Sequence, residues 1–577
     1  MSTADTFQPP ANEKTILGHP RGLVILFFTE MWERFSYYGM RGLLIIYLTQ
    51  HFLFSDEKST ILYGAYTALV YVMTIIGGSL ADKYLGSRKA VTYGAILLVL
   101  GHFGMAFEGN GSKELITVNG SEYQVTLDGR GGDANQILVG DQGTTAISFS
   151  DDGKNMLLAD PGAIGLPASI PTDSYTSRIV TEERYKQILY LSLALIIAGV
   201  GFLKANISTI VGALYGEGDP RRDSGFSIFY MGINLGSFLS SITCGILGIT
   251  YGWKYGFGLA GIGMFAGLVV FLKYQHWLDG KAEPPNPAKL KESFLGPINY
   301  EWMCYLVGVL IVAVSMFFVS HPDGFGKILL PLGILMFVYL IFYAFKYCEG
   351  VERDRMLAAT YFVLAQIPFW ALFEQAGSSL NLFTDRLVDR TIFGWSVPAP
   401  VFQFLNAGYI VIFAPILAWL WIYLAKRNLN PSSPVKFAFG VFFAGLGFFA
   451  LVAGMKASGV DGLTPVMFIF LIYWIHTMGE LMLSPVGLSA VTKLAPVRVV
   501  GMTMGAWFLY SGLSNFLAGV IARATGAETL GGKLTNAAAA KAGYIDVYTN
   551  VAYVASGIAL FMLLISPIIK KWMHGAD

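Results

Sequence analysis

EMWERFSYYGMRGLLIIYL, residues 30–48, lies inside an apolar segment, 22–50, long enough to cross a bilayer. Glu30, Glu33, Arg34 and Arg41 fall at i, i+3, i+4 and i+11, so one helix face carries all four. Facing lipid, four ionisable groups would cost roughly 10 kcal/mol, at about 2.5–3.5 kcal/mol each. The stripe must face a protein interior or a wet cavity. That requirement predicts a site inside the membrane and points to transport.

The whole chain fits this reading. Of 577 residues, 54% are hydrophobic and 13% charged, a polytopic membrane composition rather than a string of soluble domains. A net charge of +1 gives no reason to expect nucleic-acid binding. Cys244, Cys304 and Cys348 lie in or beside apolar runs; they form neither a disulfide framework nor a metal spacing and read as packing residues. The opening MSTADTFQPPANEKTILGHPRG lacks a basic leader and short apolar core, so no cleaved signal peptide is expected.

Spanning runs recur at 22–50, 60–81, 89–108, 187–214, 225–250, 255–275, 302–320 and 327–347, then at 356–378, 400–425, 434–455, 464–494, 500–523 and 547–571. This makes about fourteen helices. Basic residues such as Lys83, Arg88, Lys89, Arg221, Arg222, Lys426, Arg427, Lys570 and Lys571 collect in loops on one side, which places both termini in the cytoplasm. The expected order is a cytoplasmic segment 1–21, a six-helix bundle 22–275, a Pro- and Lys-rich linker 276–300, two additional helices within 301–350, and a second six-helix bundle 351–577.

Residues 109–186 interrupt the first bundle on the external side. ELITVNGSEYQVTLDG alternates apolar and polar residues around Asn119-Gly120, and TTAISFSDDGKNMLL repeats the pattern around Asp-Asp-Gly. A small β-rich insert is expected there, read as a decorated loop rather than a partner-binding module. Asn110-Gly111-Ser112 and Asn119-Gly120-Ser121 are glycosylation sequons, of consequence only in a secretory pathway.

Residues 30–48 resemble the E-x-x-E-R-F-x-Y-Y-G signature of the proton-coupled oligopeptide transporters of the major facilitator superfamily. FSIFYMGINLGSF at 226–238 is similar to that family's second signature, and GGSLADKYLGSRK at 77–89 resembles the superfamily loop between helices two and three. GFLKANISTIVG at 201–212, FWALFEQ at 369–375, FQFLN at 402–406 and GELMLSPVGLS at 479–489 continue the resemblance in order. It implies two six-helix bundles plus the extra helix pair of bacterial members, and import of di- and tripeptides with protons across the cell (inner) membrane. Peptide-like drugs enter as further ligands, and no cofactor is implied. Two departures stand out. Gly64 occupies the place of a histidine in animal members, and the insert lies outside the family pattern.

A peptide of any sequence offers a carboxylate, an ammonium, amides and variable side chains. Arg41 and Lys204 suit the carboxylate, Glu480 the ammonium, and Asn234 and Asn406 the amides. Tyr37, Tyr38 and Tyr71 add hydroxyls, while Trp370, Trp507 and Phe508 suit side-chain pockets. In the family, residues matching these positions line the central cavity. Asn234, Asn406, Tyr71 and Trp507 taken alone also fit ordinary helix packing.

For proton coupling, the resemblance implies Glu374, whose family counterpart pairs with cations matching Arg41 and Lys204. Glu30 and Glu33 come second, and Arg34 pairs with Glu33. Asp82 and Arg88 read as a latch of the cytoplasmic loop, and His476 as a satisfied bundle histidine. Pro415 and Pro485 are candidate bending points. The rival functions are a symporter for another small solute, such as nitrate, an amino acid or a peptide-like drug, and a peptide sensor. A membrane-embedded enzyme fits worst, because no nucleophilic, paired-acid or metal constellation stands at reactive spacing.

Overall fold

The computed structural model describes residues 13–129, 134–216 and 218–576. Most of the expected N-terminal segment, residues 1–12, therefore lies outside the described residues.

Six long helices come first. They are α1 Gly22–Gln50, α2 Asp56–Leu80, α3 Ser87–Met105, α4 Glu183–Leu214, α5 Arg222–Ile246 and α6 Trp253–Tyr274. After the linker run α7 Tyr300–Ser320 and α8 Pro322–Tyr347. The last six are α9 Gly350–Phe373, α10 Phe404–Ala425, α11 Ser433–Ala457, α12 Met467–Leu494, α13 Val500–Arg523 and α14 Ala537–Trp572. Among the described residues, twelve spans are long and apolar enough to cross a membrane. The two remaining long helices are α1, which carries four charges, and the short α3.

Local chemistry sets several helix starts. Ser55 Oγ accepts from Lys58 N at 3.3 Å, with Asp56 and Glu57 in the first turn of α2. Asn536 Oδ1 caps α14 through Ala539 N at 2.7 Å, and the Ala-rich stretch behind it starts that helix ten residues before the apolar run at 547.

The expected helix 356–378 is corrected: α9 stops at Phe373. A 3-10 turn, Glu374–Gly377, and a short helix, Ser379–Leu387, follow it. FTDRLVDR, residues 383–390, thus lies largely in a buried helix.

Helices α1–α6 pack together, as do α9–α14. The two groups meet mainly where α2 crosses α13 and α5 crosses α10. Gly64 lies on the first crossing: a Cβ there would sit 2.8 Å from Gly519 Cα, so the helix backbones leave no room for a histidine. The α7–α8 pair lies at the periphery. α7 rests on α4 and α2, α8 rests on α9 and α13, and side chains such as Leu310, Leu335 and Phe345 are exposed.

The insert folds as a seven-stranded antiparallel sheet. Its strands are β1 Lys113–Val118, β2 Ser121–Asp128, β3 Asn135–Gly140, β4 Gly143–Phe149, β5 Asn155–Leu158, β6 Ser169–Pro171 and β7 Tyr175–Val180. Spatial order is β6-β5-β4-β3-β2-β1-β7. Both expected hairpins are present. In the first, Val118 pairs with Ser121 across Asn119-Gly120, whose φ angles of 50° and 83° match the twist a two-residue turn needs.

Candidate functional site

On α1, Arg34 Nε lies 2.8 Å from Glu30 Oε1 and 2.6 Å from Glu33 Oε2, all three buried. Glu30 and Arg34 border a central cavity of about 680 Å³ between the bundles. Tyr38, Tyr71, Lys204 and Asn234 border it from the first bundle; Trp370, Asn406, Glu480, Trp507 and Phe508 border it from the second. Lys204 Nζ sits 4.1 Å from the centre of the Tyr71 ring. Opposite, Asn406 Nδ2 donates to Glu480 Oε2 at 2.8 Å and to Thr477 Oγ1 at 3.1 Å, fixing the carboxylate toward the cavity. Gly487 leaves the space that the Trp507 ring occupies. No α7 or α8 residue lines this cavity.

The cavity extends toward the end of the bundle that bears the basic loops, reaching Asp82, Leu488 and Gly501. Toward the insert it narrows to a recess of about 120 Å³ bordered by Arg41, Glu374, Tyr473 and His476, with Tyr38, Tyr71, Ser237, Trp370, Asn406 and Glu480 common to both.

There Arg41 Nη2 pairs with Glu374 Oε2, joining α1 to the turn after α9. Tyr63 on α2 steadies Arg41 by accepting its Nε–H at 2.6 Å. Further out, Arg386 makes two bonds to Asp56, at 2.6 and 2.9 Å; Gln50 donates to Asp385 at 2.9 Å, and Asn381 to Gly42 O at 2.8 Å. Four polar links thus seal the insert end across the bundle interface.

Two expectations change. Tyr37 is buried in the wall under the Arg34 guanidinium rather than bordering the cavity, because its neighbour Tyr38 takes the cavity-facing position about 100° around the helix. Glu33 is likewise behind the wall.

Asp82 and Arg88 do not form one latch. Asp82 stands at the cavity mouth, while Arg88 binds Glu283 of the linker at 2.6 and 3.0 Å and holds that carboxyl below its usual range. His476 Nε2 meets Ala444 O at 3.0 Å, consistent with a satisfied bundle histidine.

Tyr63, Asp56, Asn381, Asp385 and Arg386 are absent from the sequence-derived site. The available signal was charge placed at the ends of apolar runs, which reads locally as helix capping.

A family model described as PTR2, POT family, matches residues 88–536. The chain is 34% identical over 580 residues to the uncharacterized transporter YclF of Bacillus subtilis, covering 98% of this chain and 97% of that one. It is 31% identical to the peptide transporter YePEPT of Yersinia enterocolitica, over 88% of each chain, and 29% identical to the dipeptide and tripeptide permease A of Proteus mirabilis, over 99% of each. Among solved structures, a mutant of the peptide transporter POT in complex with alafosfalin superposes with a TM-score of 0.73 at 32% identity, over 98% of both chains. A POT family transporter in complex with 5-aminolevulinic acid superposes with a TM-score of 0.71 at 28% identity, over 96% of this chain and 98% of that one.

Proposed function

The chain belongs to the POT family, and on that premise we propose that it imports di- and tripeptides together with protons by alternating access. The observation that carries this reading is a pair of opposite charges on facing walls of the cavity: Lys204 comes from one bundle, where Arg34 is already paired with Glu30, and Glu480 comes from the other. A zwitterion laid between them satisfies both. Arg41 and Lys204 receive the carboxylate, Glu480 the ammonium, Asn234 and Asn406 the amides, and Trp370, Trp507 and Phe508 pack on side chains.

The basic-loop end is the cytoplasmic face of the inner membrane and carries both termini; the insert is external. The conformation described is then inward-facing. Protonation of Glu374 neutralises its pairing with Arg41, frees the guanidinium for the peptide and loosens the outer closure. No cofactor enters: one proton crossing about 100 mV releases roughly 2.3 kcal/mol, enough for roughly 40-fold accumulation at about 1.4 kcal/mol per tenfold gradient.

The test is uptake of labelled dialanine into proteoliposomes under an inside-negative potential and an acidic exterior. Uphill uptake abolished by a protonophore is expected; no uptake, counterflow or competition would overturn the peptide assignment. A second reading, a carrier of other small zwitterions, draws on the solved neighbour bound to 5-aminolevulinic acid. Competition between that compound and dialanine ranks the two.

A further inference from the structure

The loop between α13 and α14 carries a small hairpin, Thr529–Leu530 paired with Lys533–Leu534 across Gly531-Gly532. It belongs to the second bundle, yet its contacts are with the first. Leu530, 3% exposed, is part of the apolar core of the insert, with Ile116, Val125, Leu138 and Met156.

Gln136 Nε2 donates to Leu530 O at 2.6 Å, and Gly531 N donates to Glu114 Oε2 at 2.6 Å; Gln136 and Glu114 are both buried. The fit leaves no slack. A Cβ on Gly531 would lie 2.8 Å from Val125 Cγ1, and one on Gly532 would lie 3.0 Å from Thr49 O at the end of α1. With φ of 55° and 79°, these glycines make the turn and the close approach together.

The insert itself is fastened to the first bundle. Ser112 N donates to His51 O at 2.8 Å, His51 Nε2 meets Glu108 O at 2.7 Å, and Ser112 Oγ meets Thr181 Oγ1 at 2.7 Å, tying the two roots together.

We propose that the sheet insert is a receptor for the α13–α14 hairpin, an outer clasp that holds the cavity shut on the insert side and parts each time that side opens. The inference rests on the alternating-access reading. The hairpin is wedged between the sheet and the end of α1, both of which move with the first bundle, while the hairpin moves with the second. Rocking that separates Arg41 from Glu374 and Asp56 from Arg386 must therefore withdraw Leu530 from the sheet. A permanent weld there would stop the cycle.

A reversible tether tests this. A Cβ on Gly153 would lie 2.8 Å from Asn536 Cβ, about 1 Å inside disulfide spacing, so Gly153→Cys with Asn536→Cys brings two thiols together across the junction once the Gly153 turn shifts outward, and the natural cysteines are buried. In proteoliposomes, oxidation should bridge the pair and cut dialanine uptake at least tenfold, with recovery in reductant. Fully bridged protein that transports within twofold of its reduced form overturns the proposal.

Adding Leu530→Asp, which sets a carboxylate in the apolar core, should slow bridging at least fivefold; unchanged bridging also overturns it. The reduced protein is the reference. Absence of uptake there counts against the transport reading, while the bridging yields still decide whether the hairpin docks.

Discussion

Arg41 on α1 and Glu374, at the break that ends α9, form a buried ion pair between the bundles, 333 residues apart in sequence. Each is buried at low dielectric, so either charge left alone would be costly. The pair can part only if another group takes over a charge, and in the proposed cycle a peptide carboxylate and a proton do that for both partners at once.

Glu374→Gln keeps the shape and removes the charge to which the proposed mechanism assigns the coupling proton. Accumulation driven by the proton gradient should fall from roughly 40-fold to about unity. Dialanine counterflow should stay within about threefold of the parent. Preserved uphill accumulation in the variant would remove Glu374 from the coupling role.

Glu480 is held toward the cavity by Asn406, and its partner in this reading is the peptide ammonium. Glu480→Gln should weaken dialanine binding roughly 30-fold, the equivalent of about 2 kcal/mol, and leave N-acetyl-dialanine unaffected. Competition binding with both compounds is the measurement. An equal loss for both would mean that Glu480 only supports the bundle.

The Asp56–Arg386 pair is bidentate, with side chains 2% and 6% exposed. Asp56→Leu alone should destabilise the purified protein by about 3–5 kcal/mol, because it strands a buried guanidinium; Asp56→Leu with Arg386→Met should regain more than half of that. Unfolding in detergent compares the three variants. A double variant no better than the single one would deny the coupling.

The outer clasp should respond to pH through Glu114. Burial raises its carboxyl above the usual range, against the opposing hydrogen bonds from Gly531 N and the Ser177 hydroxyl; Tyr175 lies near it, and Glu528 of the hairpin loop lies near Tyr175. A raised pKa in the docked state means that docking takes up a proton. Where undocking returns the carboxyl to its ordinary value of 4.5, the favourable contribution is complete below that value and is lost as pH rises through the docked one. Bridging of the Gly153→Cys and Asn536→Cys pair, corrected for thiol ionisation, should therefore be faster at pH 4.5 than at pH 7.5, and Glu114→Gln should flatten that slope. A slope that survives in the variant assigns it elsewhere.

Much of the site was legible because α1 states its own purpose: four charges on one face of an apolar helix cannot face lipid. The same reasoning reached Lys204 and Glu480, and the structure sets both on the cavity wall. Tyr37 was misplaced because a run of two tyrosines does not reveal which one faces the cavity. Glu374 was named without its setting, since a 3-10 turn inside an apolar run leaves no periodic mark. The insert was legible as strands, from alternation and an Asn-Gly turn, but nothing in 109–186 announces a pocket for a leucine nearly 400 residues away.

Sequence alone therefore determined the order of spanning helices, the face that must be buried, and the strand character of the insert. These follow from hydrophobic periodicity and desolvation cost, which act within one element. The tertiary structure alone decided which groups meet: of the two cations that the resemblance offered Glu374, it is Arg41 that pairs with it, Asp56 pairs with Arg386, and Leu530 enters the apolar core of the sheet. Partner choice depends on how the bundles pack and on which end of the cavity is closed, and a local pattern encodes only that a group needs a partner.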